Sequence, residues 1–208
     1  MINSTRRFCG AALLIPFVLT TCGCQANAET SISKSYSYFN IGGKTPDALD
    51  RELATRGPKS SHSGQNHPGL TQIRFTYEMT YSATSRRCTV SHVKVNLNVK
   101  IILPRWRYRN HADADLRFIW DTLSSDIKRH EDRHAEIARS YARKMEKILG
   151  KLGSASNCEI LEARAEELVA REIAAHDREQ NRFDKLESSH FEERMIRLLK
   201  NRSKHVSR

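Results

Sequence analysis

No run of apolar residues in this chain reaches the roughly 20 needed to cross a bilayer as a helix. The stretch from Ala11 to Thr20 stops well short of that, so no transmembrane helix is expected in the mature chain. Cysteine is scarce beyond the N-terminus. Of the five, Cys9, Cys22 and Cys24 fall in the first 28 residues, and the remaining two show no CxxC spacing, which argues against a thiolate zinc site or a dithiol redox motif. Acidic residues are few beside the basic ones, 24 against 35, for a formal charge of +11. No nucleic-acid-binding motif accompanies the excess, so nucleic acid is not the expected partner. There is no internal repeat and no low-complexity segment.

Residues 1–28 have the order of a secretory signal. Arg6 and Arg7 form the positive end, the apolar run follows, and Ala26-Asn27-Ala28 supplies the small-x-small cleavage site. Leu19-Thr20-Thr21-Cys22 resembles a lipobox loosely, which makes Cys22 an alternative point of lipid attachment. A periplasmic or secreted protein is expected. Cys88 and Cys158 then most simply form one disulfide, whose long loop is worth on the order of 4 kcal/mol. The leader holds two positive charges and no acid, leaving +9 for the rest, a balance that favours anionic cell-envelope polymers.

Beyond the leader the patterning divides in two. Ile32, Lys34, Tyr36 and Tyr38 alternate with small polar residues and predict a short strand. A short helix follows, with Thr45 as its cap, Pro46 in its first turn, Leu49 and Leu53 on one face, and Gly57-Pro58 as its end. Residues 59–69 read as a loop. Strict period-two segments from Ile73 to Tyr81 and from Val93 to Leu103 predict a hairpin with one buried face, closed near Ser85–Arg87 and ended by Pro104. The period then becomes helical, from about Asp113 to Leu149 and from about Asn157 to Phe183. The expected fold is α+β, a small antiparallel sheet packed on two long helices, with the domain over 29–190 and a basic, flexible tail over 191–208. Trp106 and Trp120 are expected to pack rather than to bind.

His130-Glu131-Asp132-Arg133-His134 fits the pattern HExxH. Residues four apart lie one turn apart, so both imidazoles can grip one ion at about 2.0–2.1 Å. Glu131 between them can take a proton from water and pass it to a leaving amine. Both histidines lie on the apolar stripe between Ile127 and Ile137, where two imidazoles a turn apart want a shared partner. A zincin-like helix that binds Zn²⁺ is the expectation.

The chain resembles a bacterial family of predicted secreted zinc-dependent proteases, domain-of-unknown-function family 922. The likeness rests on Arg56-Gly57-Pro58, the strand pair with Cys88, Pro104-Arg105-Trp106, the HExxH helix, Cys158, and Glu179-Gln180-Asn181-Arg182-Phe183-Asp184. It implies a zinc metallopeptidase acting on a peptide or protein substrate, with Glu131 catalytic and His130 and His134 as metal ligands. Catalytic zinc usually keeps three protein ligands. Family members carry a late tyrosine-Asp stretch and then Thr-x-His-Gly; here Phe183-Asp184 is present, Glu187 stands in place of Thr, and His190 comes one residue late without the Gly. His190 is therefore the first choice as third ligand, with His176, Asp184 and Glu172 as alternatives. The competing expectation is a non-catalytic envelope-binding protein with a structural metal.

Overall fold

A computed structural model describes residues 27–60 and 64–206. The expected leader lies outside them except for Asn27 and Ala28, and so does His62. The hairpin forms as its period-two pattern requires. Strands β2 (Leu70–Thr84) and β3 (Arg87–Trp106) pair antiparallel around the two-residue turn Ser85-Arg86. Val93, Val95, Leu97, Val99, Ile101 and Leu103 all point into the core, where each fully buried side chain contributes about 1.5–3 kcal/mol. Phe75 stands opposite Leu97 and Tyr77 opposite Val95, so the two strands share one apolar face.

The sheet is mixed, which corrects the antiparallel expectation. Strand β1 (Asn27–Ile41) runs parallel to β3 along its other side, giving the order β1-β3-β2. The chain leaves β1 through helix α1 (Pro46–Arg56), reverses direction into β2 and reverses again into β3, so β3 points the way β1 did. Alternation of apolar residues is the same for either direction of pairing and could not reveal this. β1 is also longer than expected. Pro104 does not end β3: β2 stops at Leu70 opposite Ile102, so this proline sits where one side of the strand has no neighbour to bond. A two-residue strand β4 (Ser154–Ala155) completes the sheet beside Cys88.

Among the described residues four α-helices accompany the sheet, the short one and the two long ones expected and a fourth at residues 191–206. In α1, Thr45 accepts from the Ala48 amide and Leu49 and Leu53 are buried, as the sequence implied. They join Ile41, Trp106, Leu116 and Trp120 in a small second core, the two indoles 5.7 Å apart. Helix α2 (Ala114–Leu149) is capped by Asp113, whose carboxylate accepts from the Leu116 amide at 2.7 Å. Helix α3 (Cys158–Ser189) is capped by Asn157 and tied to β3 by the Cys88–Cys158 disulfide. Ala138 and Ala142 of α2 and Ala165 of α3 are fully buried and small, which lets these helices approach closely.

The segment expected as a flexible tail is helix α4 (Phe191–Val206). Met195, Leu198, Leu199 and Arg202 are half-buried at helical spacing. Arg194 reaches Asp126 of α2 at 3.2 Å and Arg202 lies over the Phe118 ring. A charge count conceals that pattern, and the folded unit extends past residue 190. No helix among the described residues is long and apolar enough to cross a membrane.

Candidate functional site

The side chains of the candidate cluster come from helices α2 and α3, with Thr71 and Phe75 of β2 beside them. On α2, Ile127, Ala135 and Ala138 face the core, and that rotation sets the motif between them. Glu131 points inward at 5% exposure, while His130 and His134 sit at its edge with side chains 26% and 12% exposed. They line a cleft of about 1060 Å³ between β2 and α3, together with Thr71, Phe75, His176, Gln180 and Asp184.

Three ligand-type atoms converge there. His134 Nε2 is 3.0 Å from His130 Nε2 and 2.9 Å from Asp184 Oδ1, and His130 Nε2 is 3.3 Å from the same oxygen. Among the described residues this is the group of His, Cys, Asp and Glu atoms close enough to share an ion. Tetrahedral zinc with ligands at about 2.0–2.1 Å sets neighbouring ligand atoms about 3.3 Å apart, so the spacing fits. Asp184 strengthens the case. Its side chain is half exposed, yet Oδ1 is buried and lacks a well-aligned hydrogen bond despite the two nearby imidazoles. A buried carboxylate oxygen in that position wants a cation.

His190, the expected third ligand, is not part of this group. It is exposed at the end of α3, with Nδ1 2.8 Å from the Leu186 carbonyl. The helix runs unbroken through Ser189, so six residues at about 100° each turn His190 roughly 240° away from Asp184. Glu172 lies twelve residues, about 18 Å, back toward the N-terminus of the helix and about 120° round it from Asp184, where it pairs with Lys144 at 2.8 Å. His176 is buried and bonded to Gln180. Of the four alternatives the structure brings Asp184 to the pair.

Around the cluster, charge is tuned by burial and by partners. Burial raises the Glu131 carboxyl above its usual range, opposed by the Thr71 hydroxyl and by both imidazoles. Thr71 Oγ1 donates to Glu131 Oε2 at 2.7 Å, leaving Oε1 without that bond. Gly69 faces the same carboxylate. A Cβ there would stand 2.8 Å from Oε1 and 2.9 Å from Ile127, so only glycine lets the loop pass this close. Burial also works against ionisation of Asp184, but the two imidazoles outweigh it and hold its pKa well below the carboxylate range. For His134 burial lowers the pKa, and Asp184 and Gln180 more than restore it.

Thr71 and Gly69 carried no signal in the sequence, and Gln180 and Phe183, part of the family likeness, had no role there; the Phe183 ring stacks on His130 at 4.9 Å. The missed signal was spacing. His176, Gln180 and Asp184 fall at i, i+4 and i+8, one polar line down α3 facing the pair on α2.

Residues 36–191 match the family described as "Bacterial protein of unknown function (DUF922)". The matched span runs from within β1 to the first residue of α4 and contains every residue of the cluster. No curated protein and no solved structure matches the chain.

Proposed function

The chain belongs to the DUF922 family of bacterial proteins of unknown function, and for this member we propose a zinc-dependent hydrolase of peptide bonds. The observation that carries the reading is the convergence of His130, His134 and Asp184 on one point of an open cleft, with the buried Glu131 beside it. Two histidines and a carboxylate are a ligand set suited to zinc, and three ligands rather than four leave a position for solvent and substrate. His130, His134 and Asp184 would hold the ion, whose chemistry there would be Lewis acidity toward a carbonyl oxygen and activation of water near neutral pH.

The protein's own groups do the rest. Thr71 fixes Glu131 through Oε2, and the carboxylate so held takes the proton from the attacking water and returns it to the leaving amine. The raised pKa of Glu131 makes it a better base than a solvated carboxylate and a better acid once protonated. The substrate lies in the cleft between β2 and α3. The Cys88–Cys158 disulfide suits an oxidising compartment, so a peptide or protein of the cell envelope is the substrate proposed.

The competing reading, a structural metal in a non-catalytic binding protein, calls for four protein ligands, and the described residues offer three. The refolded chain should hold about one zinc per molecule and hydrolyse an unstructured protein, with activity lost to a chelator. Asp184→Asn should loosen the zinc and His190→Ala should leave it untouched. Failure to bind any transition metal in stoichiometric amount would end the proposal.

A further inference from the structure

Gln180 makes three close polar contacts with two histidines, and elementary donor and acceptor rules assign every proton among them. Its Oε1 lies 2.5 Å from His134 Nδ1, its Nε2 lies 3.1 Å from the His134 carbonyl oxygen, and the same Nε2 lies 2.8 Å from His176 Nε2. A carbonyl oxygen can only accept. The atom facing it must therefore be the amide NH₂, and the orientation of Gln180 is fixed. It follows that Oε1, an acceptor, faces His134 Nδ1, so Nδ1 carries the hydrogen and donates.

The second histidine obeys the same logic. His176 Nε2 faces the Gln180 NH₂ and must accept, so its hydrogen is on Nδ1, which lies 3.0 Å from Asp177 Oδ1, another pure acceptor. His176 is buried, with its ring edge-on to Phe75 and to Tyr141. It cannot swing away, and it anchors the amide.

We propose that Gln180, held in place by His176, is a positioning residue that locks His134 in the Nδ1–H form and so presents the bare lone pair of Nε2 to Asp184 and His130. Two acceptor atoms, His134 Nε2 and Asp184 Oδ1, then face each other at 2.9 Å, an arrangement that only a shared cation or proton relieves. The tautomer assignment stands on contacts outside the ligand triangle. Its consequence for metal affinity rests on the zinc reading above.

The test has two arms. In the metal-free chain with ¹⁵N-labelled histidine, at mildly alkaline pH, proton–nitrogen correlation spectra should show hydrogen on Nδ1 of His134 and of His176. Zinc titration should then give an affinity roughly 10–100-fold weaker for Gln180→Leu, with a smaller loss for His176→Phe. Leucine fills much the same space as glutamine, so a merely space-filling role predicts no such loss. Hydrogen on Nε2 of His134 in the unaltered chain, or unchanged zinc affinity in folded Gln180→Leu, would overturn the proposal. Should Gln180→Leu not fold, the tautomer of the unaltered chain decides alone. If the tautomer is as stated but zinc never binds, the metal reading fails and the positioning inference survives.

Discussion

The two long helices meet in opposite ways at their two ends. Near the disulfide, Ala142, Met145 and Leu149 of α2 pack on Leu161 and Ala165 of α3, each at most 1% exposed. Eight residues back along α2, about 12 Å away, the same helices face each other across His130, His134, Gln180 and Asp184, beside an open cleft. The dry end makes the polar end affordable. Groups that would rather be hydrated, or apart, stay within 3.3 Å of one another because the helices that bear them are clamped elsewhere. Stability and chemistry should therefore separate cleanly along the helix pair.

The largest expected effect lies at the polar end and touches chemistry alone. Glu131→Gln removes the proposed base while keeping the shape and an acceptor for Thr71, so hydrolysis should fall by roughly 10²–10⁴-fold, with zinc content and melting temperature nearly unchanged. At the dry end the pattern should invert. Leu161→Ala opens a cavity among fully buried neighbours and should cost about 2–5 kcal/mol in denaturant unfolding, with zinc affinity kept wherever the chain remains folded. Replacing Cys88 and Cys158 together by serine should cost about 2–4 kcal/mol and likewise spare the metal. A core substitution that weakened zinc as much as it weakened the fold would show the two ends to be one cooperative site.

The same contrast explains what could be read from the sequence. The dry end is written in periodicity: the alternation of β3 and the stripes of α2 and α3 predicted their burial because apolar side chains have one place to go. The α1 cap was legible from local pattern, and the disulfide from the two cysteines left beyond the expected leader. The polar end was legible only where one helix carried the whole signal, in His130, Glu131 and His134. Asp184 stood only among the alternatives because its position depends on where α3 continues, and a resemblance pointing to His190 outweighed the i, i+4, i+8 line from His176. Thr71 and Gly69 meet Glu131 across 60 residues or more of chain, a proximity that no local pattern encodes. The direction of β1 and the helix at residues 191–206 depend in the same way on packing partners.

The smallest effect sharpens the comparison at the solvent side of the polar end. Asp132, between the two histidines in sequence but on the opposite face of α2, binds Lys34 at 2.6 Å and the Tyr36 hydroxyl at 2.9 Å on β1, and also Lys128 on its own helix. Partial burial works against its charge, but Lys128, Lys34 and Tyr36 prevail and bring its pKa down to about 2 from the ordinary 3.8. A carboxyl whose pKa is lower folded than unfolded stabilises the fold above its unfolded value. That contribution fades as pH falls from about 4 through about 2, and is lost below that, where both states are protonated. The lysines are partly exposed, and solvent screening cuts the linkage value to about 1 kcal/mol or less. Asp132→Asn should therefore melt a few degrees below the unaltered chain at neutral pH and converge with it below about pH 2, as thermal unfolding across that range will show. A gap that persisted at the acid end would mean that the side chain acts through packing rather than charge. The strap from β1 to the site helix would then belong with the dry end of the molecule.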